Sequence, residues 1–236
     1  MDKQPQVSLQ SPQPIRLNKF LAERLGVSRR EADDLIAAGK VSVDDKPVAL
    51  GARIDKSSKV CYNGKTVPFD AEFLYIAFNK PVGYVCSRRA QGSAPTLYEL
   101  LPPEYQKLKT VGRLDKDSSG LILLTNDGDF AFQMTHPKFR KEKVYEVELD
   151  HPLAPLHQQM ISDYGVMLDD GPSRFAVISP AGPARRVYFT VILSEGRNRQ
   201  IRRTFAALGY KVIKLHRTQF GKCQLSGLKS GEYIKL

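Results

Sequence analysis

A short apolar run between two polar turns is the feature that most constrains this fold. Residues 121–125 read Leu-Ile-Leu-Leu-Thr, with the polar segment 112–120 before them and the turn Asn126-Asp127-Gly128 after them. Because turn residues bound this short run on both sides, we predict a strand that is buried on both faces. Arg113 and Asp115 lie in the preceding segment. A carboxylate beside such a strand is held rigidly, which suits a catalytic group, although a charged surface loop is the alternative.

The composition combines an ordinary apolar content with a strong basic excess. The 236 residues include 36 Lys and Arg against 25 Asp and Glu, giving a formal net charge of +11. This charge favours a polyanionic partner, with nucleic acid ahead of an anionic membrane. No apolar run approaches the roughly 20 residues that a membrane span needs, so we expect no membrane partner.

The cysteines and histidines point to a reducing compartment and to no metal site. Cys61, Cys86 and Cys223 are isolated and lack metal-ligand spacing, and the four histidines are scattered. An odd number of separated thiols suits the cytoplasm, where we expect this protein to be located. We therefore predict neither a metal nor a cofactor.

The two ends of the chain differ in character. Residues 1–14 are rich in Gln, Ser and Pro and lack an apolar core, so we predict a disordered tail rather than a signal peptide. Basic residues concentrate near the other end, where residues 183–222 hold ten Lys and Arg and one acid, Glu195. This density is higher than a solvated face requires.

Residues 15–69 are predicted to form a small module of two helices and short strands. The first helix has an apolar face formed by Leu17, Phe20, Leu21 and Leu25. Ser28 and Glu31 have the spacing of a capping box and start a second helix that Gly39 ends. We predict a strand at Val41–Val43, a turn at Asp44–Pro47 and a hairpin around Asn63-Gly64.

Two arginines begin the second helix, although the helix dipole favours negative charge at that end. Arg29 and Arg30 follow the N-cap directly. A helix N-terminus with two guanidinium groups can bind a phosphate. The alternative is that Arg29 is solvated and Arg30 bridges to a nearby acid.

Residues 73–236 mix strands and helices without a regular βαβ repeat, so we predict an α+β domain. Strands are expected at 73–78, 121–124, 144–149 and 187–193, and helices at 97–101, 130–134, 154–164 and 198–208. The segment Asn79-Lys80-Pro81 is expected to close the first strand. In the last helix Arg202 lies close to the apolar stripe of Ile201 and Phe205, so it needs a carboxylate partner.

Four motifs in this region resemble, in the same order, those of the RsuA/Rlu family of pseudouridine synthases. They are Asn79–Tyr84, Gly112–Asp115 with the following Ser119-Gly120, Lys143–Tyr145 and Glu195–Arg203. The resemblance covers residues 74–236. It implies a central mixed, mostly antiparallel sheet flanked by helices. Residues 15–69 resemble the αL RNA-binding module that this family shares with a ribosomal small-subunit protein.

The resemblance also implies roles for single residues. The family reaction breaks the bond between ribose C1′ and uracil N1, turns the base and rejoins it through C5, without metal or redox chemistry. Asp115 resembles the catalytic carboxylate, which acts as a nucleophile or as a base, and Arg202 its partner. Tyr145 resembles the tyrosine that stacks on the uracil. Arg113 resembles the residue that fills the space of the flipped base, and its alternative is a surface pair with Asp117.

The remaining basic residues of the motifs are expected to contact RNA. In the catalytic domain these are Lys143, Arg197, Arg199 and Arg203, which the resemblance assigns to phosphates. In the N-terminal module they are Arg16, Lys19, Arg29, Arg30 and Lys40. We expect a monomer that acts on ribosomal RNA or on a partly assembled ribosomal subunit.

The choice of ribosomal RNA is less constrained than the reaction. Gly83–Ser87, Phe205–Gly209 and Leu215–Arg217 resemble the branch that acts on small-subunit rRNA, which we favour. Arg113–Ser118 and Asn198–Arg203 also resemble branches that act on large-subunit rRNA. A non-catalytic ribosome-assembly factor is an alternative of another class. The co-occurrence of Asp115, Tyr145 and Arg202 opposes it, because binding alone does not require these groups.

Overall fold

The computed structural model of the protein describes residues 14–70, 72–88, 92–179 and 186–236. The predicted tail, residues 1–14, lies outside the described residues except for Pro14. The chain divides into two compact units, one ending at Phe73 and the other spanning Leu74–Leu236. No helix among the described residues is long and apolar enough to cross a membrane.

The helices and strands are short and alternate along the chain. The α-helices are α1 (Leu17–Arg24), α2 (Arg29–Ala37), α3 (Gly128–Thr135), α4 (Pro155–Gln159) and α5 (Gln200–Ala207). The strands are β1 (Ile15–Arg16), β2 (Val41–Val43), β3 (Lys46–Pro47), β4 (Arg53–Ile54), β5 (Val60–Tyr62), β6 (Lys65–Thr66), β7 (Tyr75–Lys80), β8 (Lys109–Val111), β9 (Ser119–Thr125), β10 (Lys143–Leu149), β11 (Val166–Leu168), β12 (Gly171–Ser173), β13 (Ala176–Ile178), β14 (Tyr188–Leu193), β15 (Val212–Phe220), β16 (Cys223–Gln224) and β17 (Tyr233–Lys235). Short 3₁₀ turns span Leu97–Leu100, Pro103–Tyr105 and Pro137–Phe139, and a π-helical turn, Met160–Tyr164, continues α4.

The first unit packs α1 and α2 against small sheets. Its core includes Leu17, Phe20 and Leu21 from α1 and Ala32 and Ile36 from α2. The predicted capping box is present: the Ser28 Oγ accepts from the Glu31 N–H at 3.1 Å, and Glu31 accepts from the Ser28 N–H at 2.6 Å. This reciprocal pair satisfies two donors that a helix start otherwise leaves open.

One turn in this unit is shorter than predicted. Asp44 and Asp45 alone form it, with φ of 51° and 62°, and Lys46–Pro47 already pairs with β2. Aspartate tolerates the left-handed conformation, so two residues suffice to reverse the chain. The predicted hairpin at Asn63-Gly64 is confirmed, since β5 and β6 pair around it.

The second unit is an α+β domain around a mixed sheet, as predicted. Within the described residues the main strand order is β13-β14-β10-β15-β9-β7-β17, with β16 paired to β15 and β8 to β9. Only the β15–β9 pair is parallel among the described strand pairs of this sheet. This pair therefore joins two antiparallel halves.

The apolar run becomes β9 and is buried on both faces, as predicted. Ile122 and Leu124 belong to the larger core cluster, which also contains Phe205 of α5. Leu121 and Leu123 face a second cluster, which α3 covers. Asp127 caps α3 by accepting hydrogen bonds from the N–H groups of residues 129 and 130.

The prediction that Asn79-Lys80-Pro81 closes the first strand is wrong. The strand runs to Lys80, which pairs with Gly120 of β9. Backbone bonds to the C-terminal segment extend it: the Asn79 N–H donates to the Glu232 carbonyl, and the Gly231 N–H donates to the Asn79 carbonyl. A partner distant in sequence thus overrides the local turn signal.

Gly120 allows β9 and β15 to approach each other. Its φ is +104°, and a Cβ built on it would lie 2.2 Å from the Arg217 carbonyl oxygen and 2.6 Å from the Arg217 nitrogen. Real Cβ atoms do not approach backbone this closely, so only glycine fits here. Gly120 and Arg217 are paired in the parallel register.

We expect Gly120→Ala to destabilise the second unit severely, by more than about 4 kcal/mol, because the added methyl group forces the central strands apart. The free energy of unfolding in urea would measure this loss. Gly171→Ala is a matched control, since Gly171 has a φ of +105° but nothing within 4 Å of its Cβ position. It should cost only the backbone strain of about 1–3 kcal/mol. Equal losses in both variants would contradict the steric argument.

Candidate active site

A cavity of about 300 Å³ opens in the second unit where the two halves of the sheet meet. Its volume lies at the lower end of the range of small-molecule sites, about 300–1,000 Å³. The turn before β9, the C-terminal end of α3, the start of β10, and the loop into α5 line it. Asp115, Lys143, Tyr145, Arg199 and Arg217 are among the lining residues.

The turn that carries Asp115 is held by hydrogen bonds along its length. The Lys116 carbonyl accepts from the Gly83 N–H at 2.7 Å, and the Leu114 N–H donates to the Cys86 Sγ at 3.3 Å. The Ser118 N–H donates to the Asp115 carbonyl at 3.1 Å, which closes the turn. The position of Asp115 is therefore fixed before any ligand arrives.

The side chain of Lys80 supports this turn from the buried side. It is buried, and its Nζ donates to the Ser118 carbonyl at 2.7 Å and to the Pro81 carbonyl at 2.8 Å. Burial lowers the pKa of its ammonium, while negative charges nearby, including Asp115, oppose that shift. A buried ammonium needs such partners, and here they are main-chain carbonyls next to the catalytic candidate.

Asp115 itself lies beside an arginine at the cavity wall. Its side chain is 33% exposed, and its Oδ2 lies 3.8 Å from the Arg199 Nη1. Arg199 forms a closer, two-pronged pair with Asp117, at 3.0 and 2.8 Å.

Arg199 is also the N-cap of α5 and has a left-handed φ of 46°. The helix α5 therefore begins at Gln200, two residues later than predicted. Hydrogen bonding to Arg199 lowers the pKa of Asp117.

Arg202 has a different partner from the predicted one. Its Nε lies 3.4 Å from the Asp117 Oδ2, and its Nη2 donates to the Asp117 carbonyl at 2.7 Å. Its Nη1 donates to the Val212 carbonyl at 2.8 Å. Arg202 thus ties α5, the start of β15 and the turn together, and it contacts the neighbour of Asp115 rather than Asp115 itself. Burial lowers the pKa of Arg202, and Asp117 opposes this shift.

Tyr145 and Lys143 occupy one face of β10 and both line the cavity. Two residues apart on a strand, they point to the same side of the sheet. Tyr145 is 7% exposed and belongs to the core. The Lys143 Nζ donates to the carbonyls of Lys141 and Glu195, each at 3.3 Å, and lies 5.2 Å from the centre of the Phe220 ring. Burial, together with Arg217, lowers the pKa of Lys143 to about 8.

Arg197 and Arg203 are engaged by the hairpin of β11 and β12. Arg203 forms a two-pronged pair with Asp170 at 3.0 and 2.8 Å, and Arg197 reaches the same carboxylate at 3.0 Å. Arg197 also donates to the carbonyls of Gly171 and Pro172. These two guanidinium groups therefore anchor the hairpin. Arg113 is exposed and lines the cavity, and its suggested partner Asp117 is paired with Arg199 and Arg202 instead.

A family profile described as RNA pseudouridylate synthase matches residues 74–207, and an S4 domain profile matches residues 15–60. The chain belongs to the RNA pseudouridylate synthase family. A relative from Yersinia pestis, "Ribosomal small subunit pseudouridine synthase A", is 38% identical over 229 residues, covering 94% of each chain. "Ribosomal large subunit pseudouridine synthase B" of Bacillus subtilis (strain 168) is 34% identical over 225 residues, covering 94% of this chain and 91% of that protein.

The pseudouridylate synthase fold is also seen in a solved structure. A crystal structure of a pseudouridylate synthase aligns with a TM-score of 0.67 and 32% identity, covering 94% of this chain and 96% of the other. The mixed sheet predicted from the sequence is therefore confirmed.

Sequence reasoning missed four residues that shape the site of this synthase: Lys80, Asp117, Asp170 and Arg217. Arg217 is the least expected, because it is 2% exposed within β15. Its Nε donates to the Leu121 carbonyl at 2.7 Å, and its guanidinium lies 4.9 Å from the centre of the Phe220 ring. A charged residue at an inward position of a strand, between Leu215 and Phe220, was the available signal.

The predicted RNA contacts of the N-terminal unit lie mostly at its surface. Arg16, Arg29, Arg30 and Lys40 are exposed, and Lys19 is half-buried. Arg29 and Arg30 begin α2 as predicted. In the described part of the chain no group of three or more His, Cys, Asp or Glu side chains is arranged to hold a metal ion.

We expect RNA binding by this synthase to weaken as the pH rises from about 7 to about 9. Lys143 loses its proton near pH 8, and a neutral amine no longer attracts phosphate. Fluorescence anisotropy with a labelled rRNA fragment across this pH range would measure the effect. Lys143→Arg is the matched control, because a guanidinium keeps its charge. A pH dependence equal in both proteins would contradict this role for Lys143.

Proposed function

We propose that this protein isomerises uridine to pseudouridine in ribosomal RNA, and that its substrate is small-subunit rRNA. One observation carries the proposal: the Asp115 carboxylate, on a turn held by hydrogen bonds, and the Tyr145 ring line one cavity of about 300 Å³. A nucleoside has about this size. Its isomerisation needs a carboxylate at the sugar and a ring that stacks on the base. The net charge of +11 and the S4 domain match support RNA as the partner.

Asp115 acts at the sugar of the target uridine. The base leaves its stack to enter the cavity, and the bond between C1′ and N1 breaks. Asp115 serves as the nucleophile at C1′ or as the base that takes the adjacent sugar hydrogen. The uracil then turns and C5 bonds to C1′, as the bond from Asp115 to C1′ breaks or the sugar hydrogen is returned. The hydrogen of C5 leaves as a proton, and N1 takes up a proton. No oxidant or external energy is needed, because the product is an isomer.

The surrounding residues hold the base and the charge. Tyr145 stacks on the uracil ring, since its own ring lines the cavity between the sheet core and solvent. Arg199 places a positive charge 3.8 Å from the Asp115 carboxylate at the cavity wall. Arg217 is buried, and its Nη2 has no hydrogen-bond partner among the described residues. Such groups are rare in proteins, which supports a role for Arg217 at the substrate.

Arg202 acts through the turn rather than on the substrate. Its hydrogen bonds to the carbonyls of Asp117 and Val212 fix the distance between the turn and α5. Arg199 and Arg202 share the Asp117 carboxylate, and Arg199 also lies 3.8 Å from Asp115. We therefore assign Arg202 a positioning role. Arg113, exposed at the cavity, enters the space that the flipped base leaves.

Small-subunit rRNA is favoured over large-subunit rRNA by the names of the relatives. The proteins from Yersinia pestis and Escherichia coli (strain K12) are 38% and 37% identical and are named small-subunit synthases. The large-subunit synthase of Bacillus subtilis, at 34%, makes the other subunit the second candidate. We place the protein in the cytoplasm as a monomer that acts on free rRNA or on a partly assembled subunit.

Release of tritium from uracil C5 tests the reaction directly. Purified protein would be incubated, without added metal, with rRNA of either subunit labelled with tritium at uracil C5. We expect release from small-subunit rRNA, because only a new bond at C5 expels that hydrogen. Release from large-subunit rRNA alone would transfer the activity to the second candidate substrate. Tight, salt-sensitive binding without release from either RNA would favour an assembly factor instead.

We expect Asp115→Asn to lower tritium release by at least about 10²–10⁴-fold while RNA affinity is kept. The amide has the shape of the carboxylate but can act neither as a nucleophile nor as a base. Asp163→Asn is the matched control, because Asp163 is exposed and lies outside the residues that line the cavity. That variant should keep full release. Full activity in Asp115→Asn would refute the mechanism.

A further inference from the structure

Three aromatic rings form an exposed cluster at the C-terminal end of α3. Phe132 lies 4.7 Å from the His136 ring and 5.8 Å from the Phe139 ring, between ring centres. His136 and Phe139 are 6.4 Å apart and steeply inclined. Phe132 and Phe139 remain 45% and 37% exposed. We call Phe132, His136 and Phe139 the aromatic platform.

A positive charge lies against this platform. The Lys138 Nζ lies 5.3 Å from the centre of the Phe132 ring and 4.7 Å from that of Phe139. Arg140 and Lys141 follow directly in the chain, and Arg140 is exposed. Aromatic faces next to Lys and Arg are the surface that single-stranded nucleic acids use, with bases stacked on rings and phosphates beside the cations.

The platform is continuous with the active-site cavity. His136, Pro137 and Lys141 line the cavity, while Phe132 and Phe139 lie outside the set of lining residues. The turn from Pro137 to Phe139 leads from the cavity wall to the exposed rings, and it is fixed by the Lys138 N–H, which donates to the His136 Nδ1 at 3.2 Å. A strand whose uridine enters the cavity would therefore pass the platform.

Local packing alone does not account for the platform. Met134 and Phe130 form the apolar side of α3, and they pack in the core cluster that contains residues of β9. Phe132 lies on the opposite, solvent side of the helix, where a polar residue would leave that core unchanged. Two large rings held exposed beside the Lys138 ammonium point to a ligand with a flat face and a negative charge.

We propose that the aromatic platform stacks an unpaired base of the substrate RNA next to the target uridine, with Lys138 and Arg140 contacting its phosphates. The proposal rests on the proposed function, because it needs an RNA whose uridine occupies the cavity. It assigns the platform to binding and orientation of the strand. The chemical step at Asp115 does not involve it.

Kinetics of tritium release test the platform. We expect the double variant Phe132→Ala, Phe139→Ala to raise the KM for small-subunit rRNA about tenfold or more, with little change in kcat. Phe132→Tyr, Phe139→Tyr keeps the aromatic faces and should restore the KM, whereas Phe132→Leu, Phe139→Leu keeps only apolar bulk and should not. An unchanged KM in the alanine variant, or equal rescue by leucine and tyrosine, would overturn the proposal.

A second measurement does not require turnover. The chain contains no tryptophan, so Phe132→Trp, made in an Asp115→Asn background, gives a single tryptophan on the platform, which can be excited apart from the ten tyrosines. We expect an oligouridylate to quench its emission through stacking. Tyr188→Trp in the same background is the control, since Tyr188 is 49% exposed on β14 and outside the cavity lining. Absent quenching, or equal quenching at both positions, would overturn the proposal.

The two failures are distinguishable. If the wild-type protein releases no tritium from either rRNA, the proposed function fails, whatever the fluorescence shows. If the wild-type protein is active but the alanine variant keeps its KM, the platform proposal alone fails. Thermal unfolding of each variant verifies that the fold is retained.

Discussion

The close approach of the Gly120 and Arg217 backbones is the contact on which the rest of the active site depends. It joins two antiparallel halves of the sheet. One half contains β9, β7 and β17, and the other contains β15, β10, β14 and β13. The turn before β9 carries Asp115, and β10 beside β15 carries Lys143 and Tyr145. The absence of one methyl group therefore brings the carboxylate and the ring, 30 residues apart in sequence, to the same cavity.

Charge at this site is arranged in layers around the turn. Lys80 binds its carbonyls from the buried side, while Arg199 and Arg202 hold Asp117 from α5. Asp117 balances the two guanidinium groups, so that Asp115 has a cation at 3.8 Å without a close pair that would occupy it. A carboxylate in a tight bidentate pair would be a poor nucleophile, so the looser contact of Asp115 with Arg199 suits the role that we propose for it.

The sequence predicted the parts of this structure whose signals are local. The capping box of Ser28 and Glu31 and the buried strand β9 each depend on residues within a few positions, and each is confirmed. The partner of Arg202 could not be predicted, because Asp115 and Asp117 lie two residues apart in one turn and the sequence alone does not show which of them α5 contacts. The continuation of β7 through Lys80 depends on Glu232, more than 150 residues away. The domain limits and the roles of the individual site residues stay predictions.

The buried ammonium of Lys80 also links catalysis to the integrity of the whole domain. Its two carbonyl partners, at Pro81 and Ser118, come from opposite sides of the β7–β9 pair. Opening that pair would take both hydrogen-bond partners away from a buried ammonium. Because this loss is costly in free energy, we expect the turn not to open by itself. Amide protons around it should exchange with solvent only when the entire sheet opens. A chain in which the β7–β9 pair is open therefore lacks the ordered turn that carries Asp115.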